Sequence, residues 1–545
     1  MRQMLPLCRL AAVLAPSTVL LCLLAPGRSD AQAGYPPRFQ TADRCMACHN
    51  GLSSPSGQDV SIGTSWGASM MANAARDPYW QAGVRREVTI HPRHAAAIQD
   101  ECSTCHMPMA RFQAHAAGQM GRVFANLPTQ AQLSPLGRLA ADGASCTVCH
   151  QIQAANLGRR ESFVGGFVID TLRPMGQRQA FGPYDTDRGR ARVMSSSSGL
   201  VPSRGTHVKS SELCATCHTL ITQAFGSNGE PTGELPEQVP YLEWLNSGYR
   251  ETQSCQACHM PAVVGPVPIS SVLPQPRPAL ATHAFRGGNA FMLRLLGQHA
   301  ATLNVQARTY VLAAAAMSTQ THLEQESADL SVSSVSSYES KLEFDVVVRS
   351  RAGHKLPTAY PSRRVWLHVA VLDPSGRKLF ESGRPEQNGA IAANDNDADA
   401  QRYERHYQRI ERPSQVQIYE AIMAGPTGAI TTSLLTATHY VKDNRLLPIG
   451  FNKEGRPDQV AVHGEAQGDA DFEAGGDRVR YVVSRQGHQG PFRIVAELWY
   501  QPIGFRWAEN LADTPSPESR KFLTMYRPLS PFSATRLASA RAVAR

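Results

Sequence analysis

Cys45-Met46-Ala47-Cys48-His49, Cys102-Ser103-Thr104-Cys105-His106, Cys146-Thr147-Val148-Cys149-His150, Cys214-Ala215-Thr216-Cys217-His218 and Cys255-Gln256-Ala257-Cys258-His259 are five copies of one pentapeptide. Each is Cys-x-x-Cys-His, the attachment signal for a c-type haem. Two thiols three positions apart can each add to one vinyl group on one edge of the macrocycle. The adjacent imidazole then lies under the iron as its proximal ligand. A dithiol redox pair needs no histidine after it, and a zinc knuckle pairs into four-ligand sites, for which five copies are an odd number. The pattern predicts five covalently bound haem c groups. Cys45, Cys48, Cys102, Cys105, Cys146, Cys149, Cys214, Cys217, Cys255 and Cys258 would be the anchors. His49, His106, His150, His218 and His259 would be the proximal iron ligands.

The remaining cysteines, Cys8 and Cys22, lie in the first thirty-three residues. Arg2 and Arg9 give that stretch a basic start, Leu10 to Ala25 is apolar but short, and Ala31-Gln32-Ala33 offers a small-residue cleavage site. It reads as a secretory signal peptide, residues 1–33. A lipid-anchored form at Cys22 is disfavoured by Leu21, which stands where a small residue is expected. Haem attachment outside the cytoplasm and export support each other. The expected location is the periplasm, with the outer surface as the alternative, and no transmembrane segment is expected in the mature chain.

The 545 residues carry a formal charge of +9, of which the leader contributes +2. A basic chain ordinarily suggests an acidic partner. Here five ferric haems with two propionates each would add about −5. Arginines suit propionates, so nucleic-acid binding is not expected.

The motifs start 57, 44, 68 and 41 residues apart, too irregular for a repeat array. Residues 34–285 read as a pentahaem domain of short helices and ordered loops, with the macrocycles supplying much of the buried apolar surface. Trp66 to Ala75 reads as a short helix stopped by Asp77-Pro78. Gly165 to Gly199 shows no periodicity and reads as a surface excursion. Residues 286–326 read as a helical connector with helices over 290–303 and 305–325, Asn289 capping the first. From Ser327 the period becomes two: Leu342, Phe344, Val346 and Val348; Leu367, Val369 and Val371; Phe492, Ile494, Ala496 and Leu498. Residues 327–502 therefore read as a β-sandwich, Ig-like domain. Residues 503–545 read as a C-terminal helical tail with a poorly ordered end. The fold class is α+β multidomain.

A buried electron-transfer iron takes a second strong ligand, so distal histidines are needed. The candidates are His283 and His207, in tight local contexts, then His91 before a proline, and behind them His94, His115, His299 and His322. His207 and Cys214 are seven apart and would share a face of one helix. His354 lies outside the haem half, in a Gly- and Pro-containing loop, Arg351 to Arg364, between two strands. If that loop docks on the haem half, His354 could ligate an iron and Arg363 or Arg364 could meet propionates. Met70 and Met71 are read first as core packing. Two acidic clusters, Asn394 to Asp399 and Asp469 to Glu473 with Asp477, have alternating oxygen donors that calcium favours, although neither is an EF-hand.

Together these motifs resemble multihaem c-type cytochromes, most nearly the cytochrome c-554-like pentahaem family of bacterial periplasms. The resemblance is carried by the five hooks and by Asp77-Pro78-Tyr79-Trp80, Cys105-His106-Met107-Pro108, Ser211-Glu212-Leu213 with Thr219-Leu220 around the fourth hook, Met260-Pro261, His283-x-Phe285-x-Gly287-Gly288-Asn289 and Gly353-His354-Lys355-Leu356-Pro357. It implies one-electron transfer through stacked, mostly bis-His haems, with redox partner proteins such as a quinol oxidase complex or other cytochromes. Some relatives reduce nitrite or oxidise hydroxylamine at one open haem. The nitrite-reductase type uses a lysine in place of a hook histidine, and all five hooks here end in histidine. The alternatives are a multihaem oxidoreductase acting on a small nitrogen or sulfur compound, and a haem-modulated sensing or surface-binding protein.

Overall fold

Alternating apolar residues build the C-terminal part of the molecule, and hydrogen-bonded turns and short helices around the hooks build the rest. The computed structural model describes residues 37–128 and 133–545. The predicted signal peptide, with Cys8 and Cys22, lies outside them. Residues 37–545 cluster as one unit.

The strands in chain order are β1 (Arg178–Gly182), β2 (Leu200–Arg204), β3 (Leu220–Phe225), β4 (Pro231–Gln238), β5 (Val267–Pro268), β6 (Pro276–Arg277), β7 (Ala328–Ser337), β8 (Lys341–Ser350), β9 (Arg364–Leu372), β10 (Lys378–Ser382), β11 (Arg409–Ile410), β12 (Ile418–Ala424), β13 (His439–Asp443), β14 (Gly476–Ser484), β15 (Phe492–Gln501) and β16 (Thr535–Ala544). The first six form three two-stranded ribbons among the hooks. The others form two sheets, ordered β13-β12-β9-β15-β16 with β10 beside β9, and β11-β14-β8-β7.

Both sheets turn their apolar faces to one core. Leu342, Phe344, Val346 and Val348 of β8 meet Val365, Leu367, Val369 and Val371 of β9 and Phe492, Ile494, Ala496 and Leu498 of β15. Period-two spacing puts each set on one side of its strand. The other side of β9 is also buried, where Trp366 packs with Ile391, Val416 and Ile418. The two-sheet reading of this half holds. The chain end differs from the reading of a helical tail. After the helix Pro517–Tyr526, β16 pairs antiparallel with β15 along nearly its whole length. Its alternation is written in Ala and Arg, Arg536-Leu537-Ala538-Ser539-Ala540-Arg541-Ala542, which has little apolar contrast to read.

Near the hooks, Asp77-Pro78 starts a helix where a stop was expected. Asp77 accepts the amides of Tyr79 (2.8 Å) and Trp80 (3.3 Å), and Pro78 occupies the first helical position of Pro78–Ile90. Proline lacks only an amide that is unpaired there anyway, so it begins helices as well as ending them. The expected 66–75 helix is instead Ile62–Gly67, with a turn at Ala74–Arg76. The loop from Gly165 to Gly199 contains β1 and an eleven-residue helix, Arg188–Ser198, capped by Asp187. Its serine- and arginine-rich sequence hides helical periodicity. The connector helices are Ala290–Gln298, capped by Asn289 as expected, and Thr309–Glu326. Met70 packs against the cluster they build with Phe522 and Tyr526.

Candidate haem-binding centre

Each hook begins in or beside a helical turn: Asp43–Met46, Ala95–His106, Cys146–Cys149, Ser211–Ala215 and Cys255–His259. One turn places thiols i and i+3 on the same side. All ten hook thiols are free and partly exposed.

Four hook histidines are anchored through the same ring nitrogen. His49 Nδ1 donates to the Ile269 carbonyl at 2.5 Å, His106 to Ala74 at 2.9 Å and His150 to Phe181 at 2.5 Å, and His259 donates to Arg286. A carbonyl oxygen only accepts, so Nδ1 carries the proton and Nε2 keeps its lone pair. That is the tautomer an iron-ligating imidazole needs, with a second partner fixing the ring. Burial pushes His106 and His259 down to about 4, which keeps both rings neutral. The His106 ring is further held by Trp80, stacked at 4.3 Å and 3°. Burial also lowers His218, with the Arg363 charge acting in the same direction.

Two of these rings face a second anchored imidazole. His150 and His283 have ring centroids 6.3 Å apart with planes 20° from parallel. His259 and His354 are 6.1 Å apart and 12° from parallel. His283 Nδ1 donates to Ala281 at 3.2 Å, and His354 Nδ1 donates to Lys355 at 2.9 Å, so both leave Nε2 free. Two metal–nitrogen bonds of about 2.0–2.1 Å and two ring radii of about 1.1 Å span about 6.3 Å. The spacing and tautomers therefore fit one iron between each pair. His322 is also 6.1 Å from His259, with its plane at 64°. Its ring faces Glu326, as does the Arg286 side chain, and Arg286 holds the Nδ1 side of His259.

The other predicted histidines are engaged differently. His207 Nε2 donates to Ile152 at 2.8 Å, and extended Ser210 separates its turn from the Ser211–Ala215 helix, so His207 and Cys214 do not share one helix. His91 Nε2 meets Thr436 Oγ1 at 3.2 Å. His94 Nε2 donates to Gly229, and its ring stacks on Phe225 at 3.9 Å. His115 Nε2 is 2.7 Å from Asp100 Oδ1. His299 ends the Ala290–Gln298 helix. Arg364 is spent inside the β half, on Asp397 (2.7 Å) and Gln501 (2.8 Å).

Hooks touch one another. Met46 of the first hook and Cys146 of the third pack on one apolar cluster with Trp66, Cys105 Sγ lies 3.7 Å from the Cys217 carbonyl, and Cys255 N donates to Ser211 Oγ beside the fourth hook at 3.1 Å. Burial pushes the Cys149 thiol up, with the Cys217 thiol acting in the same direction. Sequence spacing gave no sign of these neighbours, because they join segments more than 40 and up to 112 residues apart.

In the two acidic clusters, Asp397 and Asp395 pair with Arg364 and Arg402. Asp469 and Asp477 converge on His406, a buried set within reach of one ion. His406 Nδ1 accepts from Gln417 Nε2 (3.0 Å) and Asn444 Nδ2 (3.1 Å). Both amides are oriented by backbone: Tyr407 N donates to Gln417, and Asn444 donates to Ile418 O. With Nδ1 accepting, the ring proton sits on Nε2 and donates to Asp469 Oδ2 at 3.0 Å. A metal on Nε2 would need the opposite tautomer, so this donor set reads as a hydrogen-bond network rather than a cation site.

No family model and no curated protein matches the chain. Among solved structures, it is similar to a penta-heme cytochrome c552 from Thermochromatium tepidum, with 16% identity and a TM-score of 0.51. The likeness covers 93% of this chain and all of that one. At that identity it speaks to fold alone, and the chain has a multihaem-cytochrome-like fold.

Proposed function

We propose that the chain is an exported electron carrier that holds five haem c groups and passes single electrons between redox partner proteins. The observation that carries this reading is the pair of anchored imidazole couples, His150 with His283 and His259 with His354. Two strong axial ligands close an iron to substrate and suit it to electron transfer. Bound haem supplies a one-electron iron couple. The chain supplies thiol anchors, ring orientation and burial.

The neighbouring hooks support a route for electrons between the haems. The first hook lies beside the third, and the fourth lies beside both the second and the fifth. A haem held by the fourth hook would then stand between those held by the second and the fifth. Location in the periplasm, and docking with a quinol oxidase complex or other cytochromes, belong to the same proposal. Among the described residues no helix is long and apolar enough to cross a membrane.

A second reading, an oxidoreductase with one open iron, draws on the engaged Nε2 atoms of His94, His115 and His207. Electron paramagnetic resonance of the oxidised holoprotein separates the two. Five low-spin haems unaffected by nitrite, hydroxylamine and sulfite support the carrier. A high-spin haem that binds one of them supports the enzyme and contradicts the carrier.

A further inference from the structure

His354 reaches the haem half from the β half, and four buried charges surround its attachment. Lys355 Nζ donates to Asp443 Oδ2 (2.7 Å) and to the Ala461 carbonyl (2.9 Å). Arg445 grips the same carboxylate with two nitrogens, Nε at 2.8 Å and Nη2 at 2.7 Å. Its Nη1 lies 3.2 Å from Glu243 Oε1. Glu243, on the helix Pro240–Leu245 of the haem half, returns to the loop: its Oε2 accepts the Lys355 amide at 3.0 Å and the Thr358 hydroxyl. Lys355 and Glu243 are fully buried, and Asp443 and Arg445 nearly so.

The Lys355 peptide is thus clamped by its amide, its side chain and the neighbouring Leu356–Leu446 bridge. Its carbonyl is the acceptor that orients His354. Gly353, on the other side, lies against the haem half so closely that a Cβ there would stand 3.1 Å from Tyr249 Cδ2. Apolar side chains of similar volume commonly stabilise a core as well as or better than buried ion pairs. A four-charge set that fixes one short peptide is better explained by geometry than by stability. We propose that Lys355, Asp443, Arg445 and Glu243 are positioning residues that hold His354 as the distal ligand of the fifth haem. Sixth-ligand supply is thereby tied to docking of the β half. This inference rests on the ligation reading of His354.

The test uses the full-length holoprotein. His354→Ala is the reference, and Lys355→Met and Glu243→Gln approach the clamp from opposite halves. Haem content is measured by the pyridine haemochrome assay and spin state by electron paramagnetic resonance. The expected result is that His354→Ala turns one of five ferric haems high-spin. Lys355→Met and Glu243→Gln should lose part of that same low-spin signal with five haems still attached, and added imidazole should restore it. If His354→Ala converts a haem while both clamp variants keep the wild-type spectrum, the positioning role is overturned and the ligation reading survives. If His354→Ala leaves every haem low-spin, the ligation reading itself fails and takes the clamp with it. Should Lys355→Met not fold, Glu243→Gln decides.

Discussion

His354 Nε2 is left free on the side of a ring whose centroid lies 6.1 Å from that of His259, and the two belong to different halves of the molecule. His322 competes on distance, but its Nδ1 faces the Glu326 carboxylate rather than an orienting backbone carbonyl. His322→Ala should therefore leave the spin states unchanged, and His354→Ala should release one iron. Magnetic circular dichroism of the oxidised proteins checks both.

Met46 and Cys146 pack on one apolar cluster, which joins the first hook to the third. Replacing Cys146 and Cys149 by alanine should lower haem content from five to four per chain by intact-mass measurement. It should also slow electron transfer from the first haem to the fourth by more than tenfold, an estimate of about 1.4 kcal/mol or more in barrier. Stopped-flow reduction checks the second point.

Glu237 is a buried carboxyl pushed up to about 7, chiefly by burial, with Thr222 and Gln238 opposing the shift and Glu87 and Glu101 adding to it. In the unfolded chain it ionises near 4.3. Between these values the native state holds a proton that the unfolded state has lost. Stability therefore falls as pH rises through this window, and the loss is complete above it. Glu237→Gln should remove the penalty. Relative to wild type, the variant should gain roughly 3 kcal/mol between pH 5 and pH 8 in denaturant titrations.

Arg364 is buried against Asp397, Gln501 and the Gly389 carbonyl. Asp397→Ala strands that charge and should cost about 3–5 kcal/mol of stability. Asp397→Asn, which keeps an acceptor, should cost less. Chemical denaturation followed by far-ultraviolet circular dichroism of the β half measures both.

The hooks were legible because their chemistry is local: two thiols and an imidazole within five residues. Strands β8, β9 and β15 were legible because Leu, Val, Ile and Phe recur at every second position. β16 was not, because Ala and Arg carry the same alternation with little contrast. Asp77-Pro78 misled because the same pair can end one helix and cap the next. His283 and His354 stood out through their glycine-rich surroundings, but the partner of each is set by tertiary contact alone. The engaged Nε2 atoms of His207, His94 and His115 are equally non-local. So is the clamp on Lys355, whose members come from residues 243, 355, 443 and 445.

The central claim is that His283 and His354 close two of the five irons. Low-temperature electron paramagnetic resonance of the oxidised His283→Ala/His354→Ala holoprotein tests it most directly. Two of five ferric haems should pass from low-spin to high-spin with all five still attached. A spectrum unchanged from wild type would contradict the account.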